Sequence, residues 1–463
     1  MSSQLKEIDI IKKNDLYDRF GNNTVKDKFL DFSMFPNIYK KNVTVLTEGK
    51  EEIELKTEAE IKFANGCIGS STVDTLSLQE IVPFSITTYN RSDTEVTSIT
   101  KLVLPPEMEI IPPYAFTNLP NLEHIVFPVK VLVIGDYVCK GLSKLKSVVF
   151  PGREAVTAMG EGCFEDCINL SEVVFPTAIK KTKHKTNFNF NYYSSGYTDS
   201  SEASMKDTLS GIPDFTFMNC KSLKRINLKG IKVIGYKAFY NCSELETIYN
   251  CNGVEHILDY AFGNTKKLKI LNKFNNIISF GRYAFAHSGL NGVYITTHQH
   301  VILGSGSFSG NLRLREFELF SQGLEIKDGS FVDCPNLIRC RVNNVIDIMQ
   351  AAFIRCGIVE IDLKDSYFVT LNTNVFVLCN NLFKVVLPDT LRTIMPDAFY
   401  QCPQVCEFEC LSKECTCISS YLFDPEHWIA PSIKFYIRQY TALATVAQRT
   451  VALRQGEIVY HLD

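Results

Sequence analysis

One pattern of apolar and polar positions recurs along the chain. An apolar residue is followed five positions later by an aromatic, three later by a small residue that is often Cys, and three later by Leu. The aromatic positions are Phe116, Phe164, Phe217, Phe239, Phe262, Phe285, Phe308, Phe331, Phe353, Phe376, Phe399 and Phe423, and Cys139 takes the place in a thirteenth copy. Successive copies stand 22 to 25 residues apart, except that 53 separate Phe164 from Phe217, one repeat plus about 30 further residues. The position five before is apolar in all thirteen copies: Ile111, Ile134, Met159, Ile212, Ile234, Ile257, Phe280, Leu303, Ile326, Ile348, Leu371, Ile394 and Ile418. With apolar residues at 45% of the chain, chance does not produce this.

After each aromatic comes a short alternating segment such as HIVFP (124–128), SVVFP (147–151), EVVFP (172–176), RINL (225–228), EIDL (360–363) or KVVLP (384–388). Alternation over four or five residues predicts a half-buried strand. A repeat this short holds one strand and a return turn, too little to close a core alone. Stacked neighbours must bury a shared core, with the phenylalanines as a column inside it.

Three segments carry more. KLVLPPEMEIIPPYAFTNLPNL (101–122), KVIGYKAFYNCSEL (232–245) and KVVLPDTLRTIMPDAFYQCPQV (384–405) follow LxxIxLPxxLxxIGxxAFxxCxxL. The chain thereby resembles the BspA-like, treponemal-type leucine-rich repeats over roughly 96–440. The resemblance implies an α/β horseshoe-type leucine-rich-repeat solenoid. Its parallel β-sheet lies on the concave face, its short turns, 3-10 or extended segments on the convex face, and both ends are capped. Members of that family are commonly surface or adhesion proteins of bacteria and parasitic protists.

The expected organisation is an N-terminal β-rich cap over 1–95, a solenoid of about 13 repeats over 96–432, and a C-terminal strand-helix-strand cap over 433–463. The cap readings rest on NVTVLTEGKEEIELKT (42–57) and on Leu443, Val446, Val451 and Leu453 among helix formers. A non-periodic stretch over about 177–210, rich in Asn, Ser, Tyr and Lys, is an inserted loop.

Charge removes one class of function. Lys plus Arg (48) nearly balances Asp plus Glu (51), so a general nucleic-acid binder is not expected. No apolar stretch is long enough to span a membrane, and MSSQLKEIDIIKKNDLYDRF reads as no signal peptide, so the expected location is cytoplasmic. The alternative is the cell surface, reached by unconventional export.

Sixteen cysteines would suggest disulfides in a small secreted chain. Here Cys167, Cys220, Cys242, Cys334, Cys356, Cys379 and Cys402 fill one repeat position, which elsewhere holds Thr265, Ser288, Asn311, Leu119, Leu142 or Glu426. A site that accepts Cys, Ser, Thr and Asn suggests a small, buried, weakly hydrogen-bonding group, so free packed thiols are expected. Cys402, Cys406, Cys410, Cys415 and Cys417 lack the two close pairs of a zinc site. His298 and His300, two apart on a strand, would share a face without a third ligand. No nucleophile elbow, phosphate loop, metalloprotease helix or calcium loop is present. The expectation is a protein that is not an enzyme and needs no cofactor.

Residues flanking each buried strand residue should face outward. In the C-terminal half these alternate in sign: Glu316 and Glu318, Arg339 and Arg341, Glu360 and Asp362, Lys384 with the uncharged Val386, then Glu407 and Glu409. This predicts a charge ladder satisfied within the chain. In the N-terminal half Val126, Val149 and Val174 should form an exposed apolar stripe, with Tyr249 and Tyr294 farther along and Ile270 among the other outward positions. The inserted loop, leaving at Val174, adds Phe188, Phe190, Tyr192, Tyr193 and Tyr197. These ten residues are the expected contact surface for protein partners. The expected role is a scaffold or structural component of a larger assembly, such as a cytoskeletal one; the alternative is a cell-surface adhesin.

Overall fold

The rung around Phe262 stands for the rest of the chain. It opens with the strand Thr247–Tyr249, continues through the shorter strand His256–Ile257, turns through residues 259–264 and closes on Leu268. Thr247–Tyr249 pairs in parallel with Arg225–Asn227, and His256–Ile257 pairs in parallel with both Val233–Ile234 and Ser279–Phe280. The turn forms a third ladder. The Phe239 N–H donates to the Ala261 carbonyl at 2.8 Å, and the Phe262 N–H to the Ala284 carbonyl at 2.7 Å. Each rung is thus bonded to its neighbours on three sides, which leaves few backbone groups unsatisfied.

The computed structural model describes three N-terminal strands as backbone, Val43–Leu46, Glu52–Leu55 and Thr75–Leu78. It then describes residues 100–461 apart from 105–109, 112, 118, 152–155, 177–178, 182–209, 420–421, 424–429, 431 and 454–455. The outcome is a parallel-strand solenoid of about thirteen turns with little helix, as the repeat predicts.

The tight turns need two left-handed residues each. Tyr260 and Asn264 have φ of 57° and 63°, and Phe215 with Asn219, Lys237 with Asn241 and Tyr283 with His287 repeat the pair. A non-glycine residue in that region costs roughly 1–2 kcal/mol. Side-chain amides offset part of it by bridging successive rungs. Asn264 Nδ2 donates to Asn241 Oδ1 at 2.8 Å, Asn241 to Asn219 at 2.8 Å, and Asn219 to Asp166 Oδ1 at 2.7 Å.

Inside lies the aromatic column. From Phe164 through Phe217 to Phe399 the ten rings stack in order, with centroids 4.9 to 5.8 Å apart and planes within 15°. Offset near-parallel stacking suits the ring quadrupole and adds to area burial. Cys139 leaves a gap one ring wide. Phe127 and Phe150, which end the strands of neighbouring rungs, stack on each other at 4.2 Å and both meet Phe164 edge-on, filling it. The two breaks in the column, one small residue and one insertion, therefore interrupt the sequence pattern but not the core.

Beside the column runs the row of thiols. Cys242 Sγ donates to the Phe217 carbonyl at 3.0 Å, Cys356 to Phe331 at 2.9 Å, Cys379 to Phe353 at 3.0 Å and Cys402 to Phe376 at 2.8 Å. Each thiol thus bonds the column residue of the preceding rung. Asn311 does the same, with Nδ2 reaching the Phe285 carbonyl at 2.9 Å. All seven cysteines of this position are free and buried. Burial holds the thiols of Cys167, Cys220, Cys242, Cys356 and Cys379 well above their ordinary range, so they are inert neutral donors.

Two expectations need correction. Ile418 is 58% exposed instead of buried. In the last rung Cys417, not Ile418, pairs with Ile394, because Cys417 stands six residues before Phe423 rather than five. A one-residue shift moves a strand residue to the opposite face. The inserted stretch also begins later than expected. Ile179–Lys181 is a strand of the second sheet, paired in parallel with Val156–Met159, and Ile179 is fully buried.

At the ends, Thr75–Leu78 continues the main sheet by pairing in parallel with Lys101–Val103, and Val43–Leu46 pairs antiparallel beyond it. At the other end Ile433–Arg438 and Gly456–His461 add two parallel strands, with the helix Ala442–Leu453 between them. Thr441 caps that helix, its Oγ1 accepting the Ala444 N–H at 3.1 Å, and Leu443, Val446 and Ala447 turn inward.

Two outcomes follow from this core. Phe285→Ala removes a ring stacked on both sides and should cost about 3–5 kcal/mol in chemical unfolding; an unchanged midpoint would contradict the column. In native protein at pH 8 the thiols of Cys242, Cys356 and Cys379 should resist alkylation and react once denaturant unfolds the chain, as peptide mass spectrometry would read out.

Candidate interaction surface

The main strands stack in three successive sheets, broken after Glu172–Val174 and after Thr247–Tyr249, and are called the main sheet together; they present two outward residues per rung, and paired strands put corresponding positions side by side. Val126 lies opposite Val149, and Val149 opposite Val174. The expected stripe exists as a line. It is unevenly exposed, for Val126 and Val149 are half-buried whereas Val174 is 56% exposed. Next to the line, His124 Nδ1 and Ser147 Oγ are hydrogen-bonded at 2.7 Å.

Farther along, Tyr249 pairs with Asn227, and Tyr294 stands between Asn272 and Glu318. Both tyrosines are about 40% exposed. Tyr294 is held in place: its hydroxyl donates to Glu316 Oε2 at 2.6 Å, and that bond raises its phenol pKa. Its ring lies over Gly292, where a Cβ would stand 2.6 Å from the ring. Ile270, half exposed and opposite Gly292, belongs to the same surface. Sequence reasoning placed Ile270 outward but did not count it as a contact residue; the clue was the bare glycine beside it. Val174, Tyr249, Ile270 and Tyr294 are thus exposed apolar members of the N-terminal half of this face.

The inserted stretch is expected to leave the main sheet at Val174. The chain leaves the strand Glu172–Val174, forms Ile179–Lys181 in the second sheet, and only then enters the stretch 182–209. The loop therefore departs from the second sheet and not from Val174. Phe188, Phe190, Tyr192, Tyr193 and Tyr197 lie outside the described residues.

In the C-terminal half the outward charges pair along the sheet. Arg339 Nη1 meets Glu316 Oε1 at 2.9 Å, Arg341 meets Glu318 at 3.1 Å, and Lys384 meets Glu407 at 3.2 Å. The expected ladder is present. Val386, expected to face outward here, is buried. His298 and His300 do not share a strand face, because His300 begins its strand and His298 lies in the turn before it. His300 Nε2 bonds Glu325 at 2.8 Å, which also holds Lys327 at 2.7 Å. Cys410 points inward and is fully buried. Among the described residues no group of three or more His, Cys, Asp or Glu is placed to hold a metal ion.

A family model of the BspA-type leucine-rich repeat region, six copies long, matches residues 90–193, 187–315 and 301–428. The chain belongs to the BspA-type leucine-rich repeat family. No curated protein matches it in sequence. Among solved structures it is similar to a leucine-rich repeat protein of Bacteroides ovatus, with 15% identity, 84% of this chain and 96% of that one covered, and a TM-score of 0.43. A leucine-rich cell surface protein of Faecalibacterium prausnitzii has 15% identity over 84% and 91% of the two chains, with a TM-score of 0.35. The leucine-rich repeat protein of T. pallidum has 15% identity over 67% and 83%, with a TM-score of 0.22. The family accounts for the repeat, the phenylalanine column and the cysteine position. It does not choose between the two halves of the main sheet.

Gly292→Ala tests how the face is built. The added Cβ should swing the Tyr294 ring outward and break its bond to Glu316, while stability changes by less than about 1 kcal/mol, since only a flexible ring must move. A crystal structure of the variant with the ring unmoved would contradict this.

Proposed function

We propose that this protein is a non-catalytic scaffold that binds protein partners through the main sheet of its solenoid, as a structural component of a larger assembly. One observation carries the reading. The sheet's C-terminal half pairs most of its outward charges within the chain, while its N-terminal half leaves Val174, Tyr249, Ile270 and Tyr294 open to solvent. A run of exposed apolar groups on a sheet face marks an interaction site, and tyrosine is a favoured interface residue. A cytoskeletal or other large intracellular assembly suits an array of free, buried thiols. The second reading, an adhesin at the cell surface, is favoured by the family alone.

The double substitution Val149→Glu plus Val174→Glu should abolish partner capture in crosslinking pull-downs while the melting temperature stays within a few degrees. Undiminished capture by the folded variant would sink the reading. Surface biotinylation of native cells separates the two settings. Unlabelled protein with its cysteines reduced supports the intracellular scaffold, and labelled protein with oxidised cysteines supports the adhesin.

A further inference from the structure

The opposite end of the main sheet carries a second surface, and it does not depend on the reading above. Where each of four successive rungs enters the sheet stands an uncharged, solvent-facing residue: Ile338, Val359, Phe383 and Cys406. The first three are 53%, 40% and 45% exposed, and Cys406 is partly exposed. They are true neighbours. The Val359 N–H donates to the Ile338 carbonyl at 3.2 Å, Phe383 to Val359 at 2.7 Å and Cys406 to Phe383 at 3.0 Å. The row ends at the exposed Arg315 on one side and at the buried Ile433, the residue before Lys434, on the other.

Directly beside this row runs a second one, each member the next residue in the chain: Arg339, Glu360, Lys384 and Glu407, flanked by Glu316 and Lys434. The strand register makes these six consecutive neighbours, Glu316 to Arg339 to Glu360 to Lys384 to Glu407 to Lys434. Their signs alternate without a break. A row of alternating charges with an even number of members has a specific property: reversed end for end, it places every charge against its opposite. A two-fold axis parallel to the strands, passing between those of Glu360 and Lys384, performs this reversal. It sets Glu360 against Lys384, Arg339 against Glu407 and Glu316 against Lys434. The same axis sets Val359 against Phe383 and Ile338 against Cys406, so both rows are centred on one point.

We propose that this edge is the interface of an isologous homodimer, with a second copy of this chain as its occupant. A two-fold interface must be self-complementary, and this one is so in charge and in apolar contact together. The centre of the charged row is also where the ladder within the chain is incomplete. Arg339 is taken by Glu316 and Lys384 by Glu407, whereas the exposed Glu360 side chain, among the described residues, makes no hydrogen bond or close ion pair and attracts Lys384 only at longer range. Across the axis it would meet Lys384. An exposed apolar row in a monomer would be a liability, and a second copy would cover it.

Charge reversal at the centre tests this without reference to any other protein. The full chain is followed by sedimentation equilibrium at protein concentrations from about 1 to 100 µM, the range in which an interface of modest area associates. The wild type should form dimers as concentration rises. Glu360→Lys alone and Lys384→Glu alone each place like charges across the axis twice, and each should weaken dimerisation by at least about a hundredfold. An equimolar mixture of these two variants should dimerise again. One copy then presents lysines at both central positions and the other presents glutamates at both, so every central contact is opposite in sign. Recovery on mixing also shows that neither variant had lost its fold. A wild type that stays monomeric throughout, as it would if the edge received a segment of a different protein, overturns the proposal. So does a dimer that both variants leave unchanged, or a mixture that stays monomeric.

Discussion

The fold depends on the stacking of one rung on the next. No rung could hold itself together, since a strand of three residues and a tight turn bury almost nothing on their own. Stacked, each rung bonds its neighbours through two sheets and a ladder of turn amides, and it adds one ring to a column in which Phe239, Phe262, Phe285 and their neighbours are completely buried. Burying one such ring contributes roughly 1.5–3 kcal/mol, and each ring touches the next. Stability is then a sum over nearest neighbours, which explains both the strictness of the pattern and its tolerance of a long insertion between rungs.

That constraint also divides the molecule's surface. Positions facing the column are fixed by packing, and so are the turn positions whose thiols and amides reach the carbonyls of the previous rung. What remains free to vary is the outward pair on each main strand and the residue that enters it. These positions carry the differences between the two halves: valine, isoleucine and tyrosine in one, alternating charges bordered by Ile338, Val359 and Phe383 in the other. Function in a repeat protein is written in those positions, because nothing in the core depends on them.

Much of this was legible in the sequence, for a physical reason. The repeat imposes one environment on each position, so a residue type that recurs at a fixed spacing reports its surroundings thirteen times. The column, the buried free thiols and the main strands could all be read this way. Reading failed where a rung departs from the average. Ile418 appeared to be a core residue because spacing was counted from Phe423, but the chain takes one extra residue there and turns Cys417 inward instead. The insertion appeared to start at residue 177 because periodicity stops there, yet Ile179 still finds a place in the second sheet. The importance of Ile270 depends on Gly292 in the next rung, which carries no side chain to cover it. Each miss concerns a contact between rungs, which a spacing within one rung does not encode.

Hydrogen exchange of the intact protein, resolved to single amides along the turns, is the most direct measurement. If the turns form a third ladder bound to the aromatic column, the N–H groups of Phe262, Phe285 and Phe308 should exchange as slowly as those of the adjoining main strands, because they open only when a rung leaves the stack. Fast exchange at these turn amides beside protected strands would contradict the account. The solenoid would then be two sheets joined by loose connections, with the phenylalanines as passive filling.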